Sequence, residues 1–150
     1  MIIMSGEFNT QQTSTPYTSE ENAHGLAGRH ILLAEDSPDQ QRLFARLLRQ
    51  AGASVTLECN GAAAVERVLP CKDQFDAVII DFMMPVMDGV EATRELREHG
   101  YQGVIIAITA YGNRIAEKEW LSAGADLFLK KPINPTSFIE VLTQTLCSPT

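Results

Sequence analysis

The sequence lacks long apolar runs, paired cysteines and an excess of basic residues, and each absence excludes a class of protein. The longest apolar run, residues 104–108, is far shorter than the roughly 20 residues of a membrane-spanning helix. The 3 cysteines contain no Cys-x-x-Cys pair, which favours reduced thiols in the cytoplasm over a disulfide scaffold. Acidic residues outnumber basic ones, 19 to 12, for a net charge of −7. We therefore expect no direct contact with nucleic acid or with a membrane surface.

The chain divides by composition into a polar segment and one domain. Residues 1–5 have neither the basic region nor the apolar stretch of a signal peptide. Residues 1–28 contain no Lys or Arg and show neither strand nor helix periodicity, which predicts a flexible tail or linker. The remaining sequence predicts a domain over residues 29–147, followed by a short C-terminal end at 148–150.

Short apolar runs alternate with amphipathic stretches throughout the predicted domain. The runs that predict strands are residues 30–34, 54–57, 77–80, 104–108 and 127–129. Helical patterns follow Ser37-Pro38, cover residues 61–69, 90–99 and 113–123, and follow Asn134-Pro135. Continuous apolar strands alternating with helices are typical of an α/β fold with a parallel sheet covered on both faces.

The first helix has a clear start and stop signal. Ser37 is the predicted N-cap, Pro38 takes the first helical position, and Gln40 completes a capping-box pattern. Gly52, Gly100 and Gly124 are the predicted terminators of three helices.

Chemically active side chains follow the predicted strands where each one ends. Glu35 and Asp36 follow the first strand, Asp81 the third, Thr109 the fourth and Lys131 the fifth. Any one acidic residue there is more typical of a helix cap, but ligand sites in such folds lie outside the carboxyl ends of the strands. Three carboxylates together favour Mg²⁺, which prefers oxygen ligands, and a lysine with a hydroxyl favours a phosphoryl group. The sequence therefore predicts a Mg²⁺-dependent phosphoryl site.

The phosphoryl group is predicted to be covalent and not part of a bound nucleotide. The sequence has no GxxxxGK[ST] loop and no GxGxxG turn, the two common phosphate-binding signatures. An aspartate can accept the group as an acyl phosphate. Asp81 is the best candidate, because it ends the central predicted strand.

Four ordered motifs resemble the receiver domain of two-component response regulators. They are Ile-Leu-Leu-Ala-Glu-Asp at 31–36, Ile-Ile-Asp-Phe-Met-Met-Pro-Val-Met-Asp-Gly at 79–89, Ile-Ala-Ile-Thr-Ala at 106–110 and Phe-Leu-Lys-Lys-Pro-Ile at 128–133. The resemblance covers roughly residues 29–147. It implies a flavodoxin-like (βα)5 doubly wound parallel sheet with strand order 2-1-3-4-5.

The resemblance also implies roles at the metal and phosphoryl site. Asp81 would be the phosphoacceptor, and Asp36 and Asp81 would ligate Mg²⁺ directly. Glu35 would act mostly through water, and the Met83 backbone carbonyl would complete the protein ligands. Lys131 would pair with the phosphoryl oxygens. The acidic pair departs from the commoner Asp-Asp, and the extra methylene of Glu35 should alter only its water-mediated contact.

Further roles follow from the same resemblance. Thr109 would be the switching hydroxyl, and Phe128 the coupled aromatic that changes the surface formed by the fourth helix, fifth strand and fifth helix. Met83 and Tyr111 would flank the phosphoryl group and influence attack by water. Pro132 would follow a cis peptide bond.

The resulting hypothesis is a phosphoacceptor switch that catalyses its own phosphorylation and dephosphorylation without being a turnover enzyme. The implied partner is a histidine kinase or a histidine phosphotransfer domain, and the domain itself would be a monomer or weak dimer. It could be a stand-alone regulator or the receiver of a hybrid sensor histidine kinase, which the segments 26–31 and 88–93 favour. The alternatives are an unphosphorylated interaction module with this fold and, less favoured, a phosphatase of the haloacid-dehalogenase type.

Two residues outside the site are predicted to pack in the interior. Cys59 is expected to be a small core residue, and Trp120 a partly buried residue of the fourth helix.

Overall fold

A computed structural model describes residues 25–110 and 114–147. The strands are β1 (His30–Ala34), β2 (Ser54–Glu58), β3 (Ala77–Asp81), β4 (Val104–Thr109) and β5 (Leu127–Lys130). The helices are α1 (Pro38–Gln50), α2 (Gly61–Val68), α3 (Gly89–Glu98), α4 (Arg114–Ala123) and α5 (Pro135–Cys147). A 3₁₀ segment, Leu69–Gln74, follows α2.

The five strands form one parallel sheet in the order β2-β1-β3-β4-β5. The predicted flavodoxin-like order is confirmed. β3 is buried along its whole length, because it has a strand on each side and helices on both faces. Asp81 is its last residue, so the middle of the sheet's carboxyl edge carries a carboxylate.

Two separate cores lie on the two faces of the sheet. On one face α1 and α5 pack through Phe44, Leu48, Phe138 and Leu142. On the other face the core includes residues of α2, α3 and α4, with the fully buried Trp120 among them. The alternation along β1 explains this division, since Ile31 and Leu33 face one core and Leu32 and Ala34 the other.

The predicted helix starts at Ser37 and Asn134 are confirmed, although the Ser37 N–H donates to Glu35 and not to the Gln40 side chain. The side chains of Ser37, Asn60, Asp88 and Asn134 each accept a hydrogen bond from a backbone N–H three residues on. The chain leaves α1, α3 and α4 through glycines with φ of +101°, +90° and +117° at Gly52, Gly100 and Gly124, a conformation that glycine adopts without steric cost.

Arg97 of α3 links the two connections that precede β4 and β5. Its guanidinium donates at 2.8–2.9 Å to the carbonyls of Tyr101, Gly103 and Gly124 and to the carboxylate of Asp126. One side chain thereby satisfies backbone oxygens from the connections that precede β4 and β5, using the fixed donor geometry of arginine.

Tyr101 and Gly89 each make a close contact on the side of the sheet that carries α3 and α4. The buried Tyr101 hydroxyl donates to the Phe75 carbonyl at 3.0 Å. A methyl group at Gly89 would lie 2.3 Å from the Trp120 ring and 2.5 Å from the Asp81 carbonyl oxygen. The first turn of α3 therefore approaches both the last residue of β3 and the core tryptophan more closely than any side chain allows.

Three observations refine the sequence-based expectations. The prediction of Cys59 as a core residue is wrong: Cys59 is exposed, because it follows the edge strand β2. Trp120 is more buried than expected, with no exposed surface. Leu26 lies within the segment expected to be a tail, yet it is fully buried and its N–H donates to the Ala51 carbonyl. The domain boundary at residue 29 stays a prediction, and residues 1–24 and 148–150 lie outside the described part of the chain.

Among the described helices, none is long and apolar enough to cross a membrane.

Candidate functional site

Three carboxylates meet at the carboxyl edge of the sheet. Glu35 and Asp36 follow β1, Asp81 ends β3, and these strands are neighbours. One carboxylate oxygen from each residue lies within 4.8 Å of the others. Glu35 and Asp81 are buried, whereas Asp36 is exposed. The cluster is thus a half-enclosed acidic site with one side open to solvent.

Lys131 reaches this cluster from the residue after β5. Its ammonium nitrogen lies 2.9 Å from Asp81 Oδ2 and 3.2 Å from Glu35 Oε2, and its backbone N–H donates to the Thr109 carbonyl at 2.8 Å. The Lys131–Pro132 peptide bond is cis, as the resemblance implied. Lys130 precedes it as the last residue of β5 and is exposed. Of the two adjacent lysines, Lys131 is the one that contacts the acidic cluster.

Burial and mutual repulsion perturb the protonation of the site. Burial, followed by the hydrogen bond and negative charge of Asp81, raises the pKa of Glu35 from 4.5 to about 7, although Lys131 and the Ser37 N–H oppose the shift. Burial alone would lower the pKa of Lys131, but hydrogen bonds and charge from Asp81 and Glu35 outweigh it and leave that pKa raised. One ammonium therefore does not compensate the carboxylates around it.

This charge imbalance fits a divalent cation. All the acidic groups offer hard oxygen ligands, and a cation among them would offset the repulsion that raises the Glu35 pKa. Residues Glu35, Asp36 and Asp81 could hold Mg²⁺ with water in the remaining positions.

The backbone around Asp81 completes the enclosure of its carboxylate. Asp81 Oδ1 accepts a hydrogen bond from the Met83 N–H at 3.3 Å, while Oδ2 faces Lys131. The Met83 side chain is 54% exposed and follows directly on this contact. Met83 therefore lies next to the Asp81 carboxylate, and its role beside the phosphoryl group stays a prediction.

The structure describes two of the three remaining predicted site residues, Thr109 and Phe128. Thr109 is the last residue of β4 and is fully buried. Phe128 lies on β5 beside Ala107 and packs, partly buried, against the core that contains Trp120. Tyr111 lies outside the described residues, so its flanking role stays a prediction.

One contact of the site was not assigned to it from the sequence. The Gln40 side-chain carbonyl accepts a hydrogen bond from Lys131 Nζ, whereas the sequence predicted only a capping role for Gln40. The sequence signal that could have indicated this contact is the position of Gln40 in the first turn of α1, the helix that begins two residues after Asp36.

The comparisons with known proteins agree with this geometry. The response regulator receiver domain family matches residues 31–143, and the chain belongs to that family. It is therefore a receiver domain, the phosphoacceptor signalling domain of two-component systems, with the fold predicted from its motifs.

The relatives include both hybrid kinases and short regulators. The chain is 32% identical over 124 residues to Hybrid signal transduction histidine kinase I of Dictyostelium discoideum, covering 78% of this chain but 7% of that protein. It is 39% identical over 117 residues to Two-component response regulator ORR41 of Oryza sativa subsp. japonica, covering 76% of this chain and 91% of that protein.

A solved receiver domain has the same fold and holds the predicted metal. The receiver domain of a sensor histidine kinase from Pseudomonas aeruginosa, with a magnesium ion coordinated in its active-site cleft, is 35% identical to this chain. The TM-score is 0.74, and the match covers 81% of this chain and all of that domain.

Proposed function

We propose that Asp81 accepts a phosphoryl group from a phosphohistidine and that Glu35, Asp36, Asp81 and the Met83 carbonyl hold Mg²⁺ for this reaction. The observation that carries the proposal is the position of the Asp81 carboxylate. It lies within 4.8 Å of the acidic pair on one side and 2.9 Å from Lys131 Nζ on the other. A carboxylate flanked by a cation site and an ammonium can attack phosphorus while both neighbours neutralise the phosphoryl oxygens.

The proposed reaction moves the phosphoryl group between two bonds. An Asp81 carboxylate oxygen attacks phosphorus, the phosphorus–nitrogen bond of the donor histidine breaks, and the histidine keeps that electron pair. Mg²⁺ supplies positive charge for the phosphoryl oxygens. In dephosphorylation water attacks phosphorus, the phosphorus–oxygen bond to Asp81 breaks, the Asp81 carboxylate keeps that electron pair, and inorganic phosphate and a proton are released. Both steps depend on positioning and charge and need no separate catalyst.

The proposed output is a change at the surface of α4, β5 and α5. Thr109 and Phe128 lie on adjacent strands at this side of the sheet, and Thr109 precedes the connection to α4. The phosphoryl group would draw the Thr109 hydroxyl toward the site, and Phe128 would change its packing against the core in response. The switch rests on different contacts of the phosphoryl group with two arrangements of these residues. Met83 and Tyr111 would set the access of water.

The proposed partner is a histidine kinase or a histidine phosphotransfer domain in the cytoplasm. The relatives include histidine kinases as well as stand-alone regulators. We favour the receiver of a hybrid kinase, acting as a monomer or weak dimer. Transfer to and from a phosphorylated histidine phosphotransfer domain would distinguish a relay role from a purely terminal one.

The test is intact-protein mass spectrometry after incubation with acetyl phosphate, with and without Mg²⁺. The wild type should gain one phosphoryl group that requires Mg²⁺ and is removed by hydroxylamine, and Asp81→Asn should gain none. Asp73→Asn is the matched control, because Asp73 is an exposed aspartate of the 3₁₀ segment. A wild type that stays unmodified with acetyl phosphate and with a phosphorylated histidine phosphotransfer domain would overturn the proposal in favour of an unphosphorylated interaction module.

A further inference from the structure

The Lys131 ammonium has a complete set of acceptors, and they differ in charge. An ammonium group has three hydrogens to donate. Around Lys131 Nζ the acceptors are Asp81 Oδ2, Glu35 Oε2 and the side-chain carbonyl of Gln40. The first two belong to the predicted metal ligands, whereas Gln40 is neutral and belongs to α1. The lysine side chain is 14% exposed, so the protein supplies most of its surroundings.

Gln40 reaches Lys131 because a different residue takes over its capping role. In a capping box, the glutamine three residues after the N-cap accepts from the N-cap N–H. Here the Ser37 N–H donates to Glu35 Oε1 at 3.1 Å, while the Gln40 N–H still donates to Ser37 Oγ. The backbone half of the capping box is kept, and the Gln40 side chain is left for Lys131.

Phe44 supplies a second contact from the same face of α1. It lies one helical turn after Gln40, and its ring centroid is 6.0 Å from Lys131 Nζ, within the range of a cation–π contact. Residues four apart on a helix share a face. The first two turns of α1 therefore contact the Lys131 ammonium through Gln40 and Phe44, although Lys131 follows β5 at the edge of the sheet.

We propose that Gln40 is a positioning residue for phosphoryl transfer, which holds Lys131 Nζ at the site when the carboxylates release it. This inference rests on the proposed function. Metal ligation would engage Glu35 and Asp81 oxygens, and phosphorylation would convert the Asp81 carboxylate to an acyl phosphate, whose negative charge lies on the phosphoryl oxygens. Both changes take acceptors from Lys131. Gln40 is outside the metal-ligand set, so it keeps one hydrogen bond while the remaining hydrogens turn to the phosphoryl oxygens.

A neutral acceptor suits this role better than a carboxylate. A further negative charge would repel the incoming phosphoryl group, whereas an amide oxygen orients the ammonium at little electrostatic cost. Without Gln40, the freed lysine could turn toward solvent at the open side of the site, since its long side chain has several rotatable bonds.

The test compares Gln40→Met with Gln50→Met. Gln50 is the exposed last residue of α1, so the second variant makes the same chemical change on the same helix far from Lys131. We expect Gln40→Met to lower the rate constant at saturating acetyl phosphate about tenfold, the scale of one hydrogen bond to a charged group. The half-saturating Mg²⁺ concentration should change by less than about twofold, because the metal ligands are intact. Gln50→Met should match the wild type in both.

Two further readouts separate positioning from a general structural effect. In a Lys131→Met background, Gln40→Met should cause no further loss of rate, because Gln40 acts through Lys131. The ¹H–¹⁵N signal of the Lys131 ammonium in the metal-free protein should shift in Gln40→Met and stay unchanged in Gln50→Met.

Each outcome decides between the hypotheses. A Gln40→Met protein with the wild-type rate, or with a loss that persists in the Lys131→Met background, overturns the positioning role while leaving the phosphoacceptor role intact. A wild type that accepts no phosphoryl group overturns the proposed function and this inference with it.

Discussion

Replacing Glu35 with glutamine should stabilise the metal-free domain above neutral pH, although Glu35 is part of the site. Glu35 is 2% exposed, and burial together with Asp81 raises its pKa from 4.5 to about 7. A carboxyl group with a raised pKa in the folded state adds stability that is present below the unfolded pKa and lost as pH rises through the folded value. The stability of the wild type should therefore fall between about pH 4.5 and pH 7.

The size of the stabilisation expected for Glu35→Gln follows from the pKa shift of Glu35. Each pKa unit corresponds to about 1.4 kcal/mol, and the shift of Glu35 would then give about 3 kcal/mol as an upper limit. Water reaches the site at the exposed Asp36 and screens the charges, which reduces the expected gain to about 1–2 kcal/mol. Glutamine imitates the protonated carboxyl, since its oxygen can accept from the Ser37 N–H and its amide can donate to Asp81, while Lys131 loses one acceptor and keeps Asp81 and Gln40.

The measurement is thermal or urea unfolding in a chelator across this pH range. Glu35→Gln should unfold about 3–8 °C higher than the wild type near pH 8 and should show a flatter pH profile. Added Mg²⁺ should reverse the order, because it binds the folded wild type more tightly. Glu66→Gln is the control, since Glu66 is an exposed glutamate of α2. A metal-free Glu35→Gln protein less stable than the wild type near pH 8 would refute the reasoning.

Three predictions concern the scaffold. Gly89→Ala should destabilise the domain by about 1–3 kcal/mol in urea unfolding, because the new methyl group meets Trp120 and a backbone carbonyl; unchanged stability would contradict the close approach. Arg97→Met should cost about 2–3 kcal/mol, since it keeps the aliphatic stem and removes every guanidinium hydrogen bond; a loss within experimental error would show that water replaces these bonds. Tyr101→Phe should cost about 1–2 kcal/mol by leaving the Phe75 carbonyl without its donor. Burial raises the pKa of Tyr101, so the wild type should lose stability above about pH 10, and Tyr101→Phe should lack that alkaline component; equal alkaline slopes would contradict this assignment.

The strands and the residues of the acidic site could be predicted because the signals that specify them are local. Continuous apolar runs mark buried parallel strands, and in such a sheet their carboxyl ends share one edge. Glu35, Asp36, Asp81 and Lys131 could therefore be placed together before any coordinates, and the structure brings them together. The strand order came from the resemblance, since short runs of similar composition do not specify their neighbours.

The contacts that could not be predicted depend on residues far apart in sequence. The capping-box pattern correctly predicted the Gln40 N–H bond to Ser37, but the direction of the Gln40 side chain depends on a lysine 91 positions later. Cys59 was misjudged because its apolar character does not reveal that it leaves an edge strand. Leu26 belongs to the core that contains residues of α1 and α5, which are distant in sequence and which the segment around Leu26 does not indicate.

The acidic site depends on two strands, β1 and β5, that are far apart in the sequence. The hydrogen bond between Lys131 and Glu35 joins residues 96 positions apart, and the sheet between them is assembled entirely from non-local parallel pairs. No contiguous fragment shorter than this span contains the whole site. A chain cut short before β5 therefore lacks Lys131, and a chain in which β5 does not pair with β4 does not bring Lys131 to Glu35 and Asp81. The proposed phosphoryl transfer thus depends on the last strand of the sheet being in place.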